Sequence, residues 1–155
     1  MSYIPSGIAS YRQTEVESRT PLELVVMLYD EAIDSLETAV AAIGRGDIEA
    51  RFNATARTAE FISHLYLALD MENGGEIALN LSGIYNFILG QLPEVNFRND
   101  PAIAEQAIML LRPIRESWFE LDERIRSAVA DSEADGGELA GALVASGALA
   151  AQTGS

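Results

Sequence analysis

Only a few residues of this chain have side chains that could do chemistry. His64 is the sole histidine, and there is neither a cysteine nor a lysine. That removes thiolate nucleophiles and thiolate metal sites, and with them the P-loop and Schiff-base lysines. Asp30, Glu31 and Asp34 lie within one helical turn, close enough in principle for paired-carboxylate acid–base work. A di-iron bundle would need two Glu-x-x-His pairs, and the sequence has none. A solvated acidic face accounts for the three acids. Tyr29, Tyr66 and Tyr85 fall on apolar stripes, as core tyrosines with hydroxyls reaching the rim would. Trp118, the only tryptophan, reads as a core anchor. These residues compose no catalytic, cofactor or metal site, and the expectation is a protein without cofactor that is not an enzyme.

The composition narrows the partners. Of 155 residues 48% are apolar, enough for one well-filled core. Against 24 acidic residues stand 10 basic ones, all arginine, for a formal charge of −14. Such a chain repels phosphate backbones and anionic membrane surfaces, which argues against nucleic acid as ligand. MSYIPSGIASYRQTE has neither a basic nor a greasy leader region, and Leu139–Ala151 is too short to span a bilayer. A cytoplasmic address without membrane insertion is expected.

The elements are legible from punctuation. Thr20-Pro21-Leu22-Glu23 joins an N-cap threonine, a proline at the first helical position and a capping-box glutamate. Leu22, Val26, Tyr29, Ile33, Leu36, Val40 and Ile43 then step by four and three. Asp47 opens a second helix with the stripe Ile48, Phe52, Thr55, Ala59, Ile62, Tyr66 and Leu69, which Asn73-Gly74-Gly75 ends. A third helix is expected from about Glu76 to Leu92, stopped by Pro93, with VNFRND as a loop. Asp100-Pro101 starts the fourth, which uses Ile103, Ala107, Leu110, Ile114, Trp118, Leu121 and Ile125 and ends near Ala130. Pro113 should kink it. Short links between long helices imply an all-α, antiparallel up-down four-helix bundle. The expected organisation is an N-terminal arm over 1–19, the bundle over 20–130, and an acidic, then Ala/Gly-rich, largely disordered tail over 131–155, with a weak helix around Leu139–Ala150 as the alternative there.

The helices carry more apolar surface than one core-facing stripe requires. Helix 1 has a second strip of Leu24, Leu28, Ala32, Ala39 and Ala42. Helix 2 has Ala50, Ala54, Phe61, Leu65 and Ala68 beside its stripe. On helix 3, Leu79, Gly83 and Phe87 align at i, i+4 and i+8 among polar residues, forming a shallow groove for another helix. Contiguous apolar strips rimmed by charge mark a protein partner.

Several stretches, in order, resemble one family: GIASYRQTEVES, TPLELVVMLYDEAIDSLETA, MENGGEIALNLSGIYNFILGQL, NFRND and LLRPIRESW. Together they are similar to the flagellin-specific export chaperones of the FliS family over roughly residues 3–120. The resemblance implies a small cytoplasmic four-helix bundle that binds the disordered C-terminal segment of flagellin one to one. It also implies that the chaperone prevents premature polymerisation and aids delivery to the membrane export gate. In the family a Gly-Ile-x-x-Tyr arm lies over the binding surface and the client displaces it; here these residues are Gly7, Ile8 and Tyr11. The expected flagellin-contacting residues are Ile8, Tyr11, Leu24, Leu28, Phe61, Leu65, Leu79, Gly83 and Phe87. The tail after Ala130 has no counterpart in the resemblance. Two other readings stay open: a structural or regulatory bundle that self-associates through its apolar strips, and a bundle enzyme.

Overall fold

The computed structural model describes residues 19–133. The arm, with Ile8 and Tyr11, and the tail from residue 134 lie outside the described residues, and so do the expectations placed on them. Four helices follow one another: α1, Pro21–Gly44; α2, Ile48–Leu67; α3, Gly75–Arg98; and α4, Pro101–Glu133. They form a four-helix bundle in which α1 packs on α2 and α4, and α3 closes the ring against the same two. Cross-links between elements fix the directions. Asp30 and Thr20 on α1 meet Arg115 and Asp122 on α4, while Arg51 near the start of α2 meets Asn96 near the end of α3. Both pairs are antiparallel.

α1 begins as its sequence demands. The Thr20 hydroxyl accepts from the Glu23 amide at 3.1 Å, and the Glu23 carboxylate accepts from the Thr20 amide at 2.9 Å. Thr20 Oγ1 also donates to Asp122, buried on α4, and Arg126 pairs with both Asp122 and Glu23. The cap, usually worth about 1 kcal/mol, thus also ties α1 to α4. Between α2 and α3, Asp70 accepts from the amides of Glu72 and Asn73, and Gly75 takes φ +61. Gly74 is needed for space. A Cβ there would stand 2.5 Å from Ala78 Cβ and from the Asp70 carbonyl oxygen.

The core runs through Leu22, Val26, Tyr29, Ile33 and Leu36 of α1, Ile62 and Leu65 of α2, Leu81, Tyr85, Ile88 and Leu92 of α3, and Leu111 and Trp118 of α4. Tyr29 and Tyr85 reach across the bundle from diagonal helices, their hydroxyls 2.5 Å apart. Burial raises the Tyr29 phenol to about 12, although its neighbours' hydrogen bonds act the other way, and burial raises Tyr85 as well. Trp118 Nε1 has no hydrogen-bond partner within reach of good geometry among the described residues, though the Tyr29 hydroxyl is near enough to feel it.

Three expectations are corrected. Pro93 does not end α3, which continues to Arg98 and stops at Asn99 in the left-handed region (φ 53). Proline removes one backbone hydrogen bond, but tertiary contacts hold the extra turn. Val95 is buried, and Asn96 bonds to Thr55 and Arg51. VNFRND is therefore mostly helix. α4 keeps Pro113 within one helix and is described as far as Glu133.

The α2 stripe is the second correction. Thr55 and Ile62 of the expected stripe are buried and Ala59, Tyr66 and Leu69 pack against the core, but Ile48 and Phe52 are exposed, and Ala54, Thr58 and Leu65 also face inward. The threonines are buried at low cost because their hydroxyls bond to carbonyls of their own helix, and Thr58 also bonds to Ser35 at 2.6 Å.

The third concerns α1. Ala32, Ala39 and Ala42 are fully buried, so much of its second strip is no surplus. With Ser35 they form a seam of small residues, and Ser35–Thr58 identifies the facing helix as α2. A helix with two large neighbours must be apolar on two sides.

Candidate partner-binding face on α2 and α3

α3 presents two different sides. Its inner side is Ala78, Leu81, Ser82, Tyr85, Ile88, Leu92 and Val95, all buried. Its outer side carries Leu79 (62% exposed), Phe87 (43%) and Phe97 (86%), with Gly83 and Gly90 between them. At 100° per residue these five positions fall within about 80° of one another. A Cβ added at Gly83 or Gly90 would meet nothing within 4 Å. Neither glycine serves the packing of the bundle, and the space above each is open. Large side chains flanking bare backbone form a shallow trough that can take an apolar helix at close approach.

Exposed apolar residues also stand on α2 and in the turn after it. Ile48 and Phe52 stand at the end where Arg51 joins Asn96 and Asn99, and Leu67 and Met71 stand at the other, beside the turn into α3. Met109 and Phe119 are the exposed large apolar residues of α4, and the described part of α1 has none. An Arg115 guanidinium lies 5.0 Å from the Phe119 ring and is held by Asp30, so Phe119 is partly covered by charge.

The sequence-predicted contact residues divide into two groups. Leu79, Gly83 and Phe87 share the outer face of α3. Leu24, Leu28 and Phe61 are half-buried on α1 and α2, with Leu28 and Phe61 packed against the core cluster. Leu65 is 2% exposed and belongs to the core. The register set by Ser35–Thr58 directs it at α1, which leaves it no surface to offer. α1 and α3 are diagonal helices, so the two groups do not share one face. Sequence reasoning missed Phe97, because ending the helix at Leu92 cut the strip short, and it passed over Gly90 inside the expected helix. Ile48 and Phe52 fit the core stripe by spacing alone, yet both are exposed.

The acids of α1 form ordinary surface electrostatics. Asp30 is bound by Arg115, and Glu37 by Arg112. Asp34 is raised, by partial burial first and then by its neighbours Glu37 and Asp30. No group of three or more His, Cys, Asp or Glu is placed to hold a metal ion, and no helix is long and apolar enough to cross a membrane, among the described residues.

The sequence profile of the flagellar protein FliS matches residues 5–125. The flagellar secretion chaperone FliS of Salmonella typhimurium is 36% identical over 127 residues, covering 79% of this chain and 94% of that protein. Its namesake in Vibrio cholerae is 30% identical over 119 residues, 74% of this chain and 88% of that protein. The Bacillus subtilis namesake is 24% identical over 134 residues, 86% and 97% respectively. The chain belongs to the FliS family of flagellar secretion chaperones.

Proposed function

We propose that this protein is a cytoplasmic chaperone that binds the C-terminal segment of flagellin, one to one, and acts by binding without catalysis. The observation that carries the reading is the outer face of α3, where Leu79, Phe87 and Phe97 flank open backbone at Gly83 and Gly90. An amphipathic segment laid along this trough and the adjoining α2 residues gains apolar burial at about 25 cal/mol per Å². The same residues are then unavailable for polymerisation contacts of the client, and the complex is the form delivered to the export gate at the membrane. Gly7, Ile8 and Tyr11 lie outside the described residues; the resemblance implies that their arm competes with the client, and such competition lowers apparent affinity by the competing fraction.

Calorimetry with flagellin, intact and lacking its last helical segment, tests the reading. The expected result is a 1:1 complex with negative heat-capacity change and a gain of helix by circular dichroism. Unchanged binding after the deletion would sink it. Light scattering that finds growing self-association in place of a 1:1 complex would favour the structural-bundle alternative. Deleting residues 2–12 should tighten binding; weaker binding by an intact bundle would make the arm a contact surface.

A further inference from the structure

The turn between α2 and α3 sets a reactive pair of residues side by side. Gly74 is buried, and the contacts a Cβ would make with Ala78 and the Asp70 carbonyl oxygen leave room for glycine alone. The residue before it is Asn73, which alone among the six asparagines precedes a glycine. In such a pair no side chain shields the second residue's main-chain nitrogen from the first residue's side-chain carbonyl carbon. Glycine also gives the backbone the freedom to bring the two atoms together. Asn73 is exposed to water, whereas Asn53, Asn80, Asn86 and Asn96 lie within helices and precede residues with side chains. Asp70 holds both members of the pair. Its carboxylate accepts from the Asn73 side-chain amide at 2.9 Å and from the Asn73 main-chain amide at 3.0 Å. Its carbonyl oxygen accepts from the Gly74 amide at 2.7 Å. These bonds, those of Asn73 first, hold the Asp70 carboxyl below its ordinary range and so keep it an ionised acceptor. Before the Gly74 nitrogen can act as a nucleophile, it must give up the proton it donates.

We propose that Asn73-Gly74 is a latent self-modification site and that Asp70 keeps it closed. When the turn opens, the Gly74 nitrogen loses its proton to solvent base and bonds to Asn73 Cγ. The Cγ–Nδ2 bond breaks, and Nδ2 leaves as ammonia. Water then opens the cyclic imide at either carbonyl, leaving an aspartate at 73 or an isoaspartyl link that runs the main chain through Cβ. Overall an amide and a water become a carboxylate and an ammonium ion, with no redox change and no cofactor. The product no longer fits the turn. A carboxylate at 73 lacks the Nδ2 donor and confronts the carboxylate of Asp70. The isoaspartyl link lengthens the main chain where the Gly74 carbonyl accepts from the Ala78 amide at 3.3 Å, in the first turn of α3. The start of α3 is loosened for good, so the reaction records how long the turn has stood open. The proposal is independent of which client the α3 face receives.

The full chain is incubated folded and, in parallel, unfolded in urea at the same mildly alkaline pH. Peptide mass mapping follows the conversion of each asparagine to the acid. Residue 73 should convert at least roughly tenfold more slowly in the folded chain than in urea, at a rate set by the open fraction of the turn. In Asp70→Ala, shown to be folded by circular dichroism, residue 73 should convert at least roughly fivefold faster than in the folded parent. Asn53 and Asn80 should keep their parent rates, which separates a released turn from a generally loosened bundle. Should Asp70→Ala disturb folding, Asp70→Asn takes its place: its Oδ1 still accepts from the main-chain amides, and only the bond from Asn73 Nδ2 is lost. Absence of conversion at 73 in urea means there is no site. Equal rates in the folded and unfolded parent mean that nothing guards it, and a folded Asp70 variant no faster than the parent means that Asp70 does not. Each of these results overturns the proposal.

Discussion

α1 and α3 are both 24-residue helices, yet they hold opposite positions in the bundle. α1 is buried on two sides, with one seam of large residues and another of alanine and serine, and exposes no large apolar side chain. α3 buries one side only and leaves Leu79, Phe87 and Phe97 in water around two glycines. Its seam with α4 is the thinnest of the four. Apolar surplus on a helix therefore has two meanings, and the number of neighbours decides between them. On α1 the second strip belongs to α2; on α3 it stays exposed among the described residues, and it is there that we propose a partner binds.

The comparison breaks first at the core. Leu36→Ala, at a fully buried position of α1, should cost about 3 kcal/mol in urea unfolding. Leu79→Ala on α3 should leave the midpoint nearly unchanged, and comparable losses at both sites would erase the distinction. Next in size, Phe87→Glu should weaken flagellin-segment binding by about thirtyfold, near 2 kcal/mol in calorimetry, with the bundle still folded. Unfolding instead would place Phe87 in the core.

Thr20→Ala should cost about 1 kcal/mol through the lost cap, more if the Asp122 contact matters in water. Gly90→Ala should work in the other direction, stabilising α3 by about 0.5–1 kcal/mol, because the new methyl meets nothing. The same change should slightly loosen client binding by filling the trough. A drop in thermal midpoint would mean that the glycine serves the bundle. The smallest effect concerns pH. Burial raises the Glu23 carboxyl, but the Thr20 amide and Arg126 outweigh it and the net shift is downward. A carboxyl depressed in the folded state stabilises above its unfolded value and loses that contribution as pH falls through the folded one. Unfolding midpoints at pH 7 and pH 3 should thus differ less in Glu23→Gln than in the parent.

The bundle and its helix starts were legible because capping boxes, proline and glycine act locally. Thr20–Glu23 lies where its chemistry requires, whereas Asn73-Gly74-Gly75 does not end α2, which stops at Leu67 with Ala68 as its cap; the glycines open α3 instead. What escaped was decided by neighbours. Thr58 looks polar until its hydroxyl finds Ser35, and Leu65 looks spare until α1 faces it. Phe52 fits a periodic stripe, but its end of α2 turns it to solvent. The α3 groove was legible in part, through Leu79, Gly83 and Phe87, since large and small residues alternated on a side with no other use. Its extension to Phe97 was hidden by Pro93, whose local preference yields to the bonds of Asn96.

α3 also contains Gly83, Gly90 and Pro93 within its interior. Relative to alanine, each interior glycine disfavours helix by about 1 kcal/mol and an interior proline by about 3 kcal/mol. Outside the bundle this stretch would scarcely be a helix, so its backbone amides should exchange with deuterium ahead of those of α1. The face we propose for a partner thus rides on a helix that should open more readily than α1. A segment that docks there slows exchange from residue 79 to 97 while α1 remains as it was, and that contrast turns the bound face into something that can be mapped residue by residue.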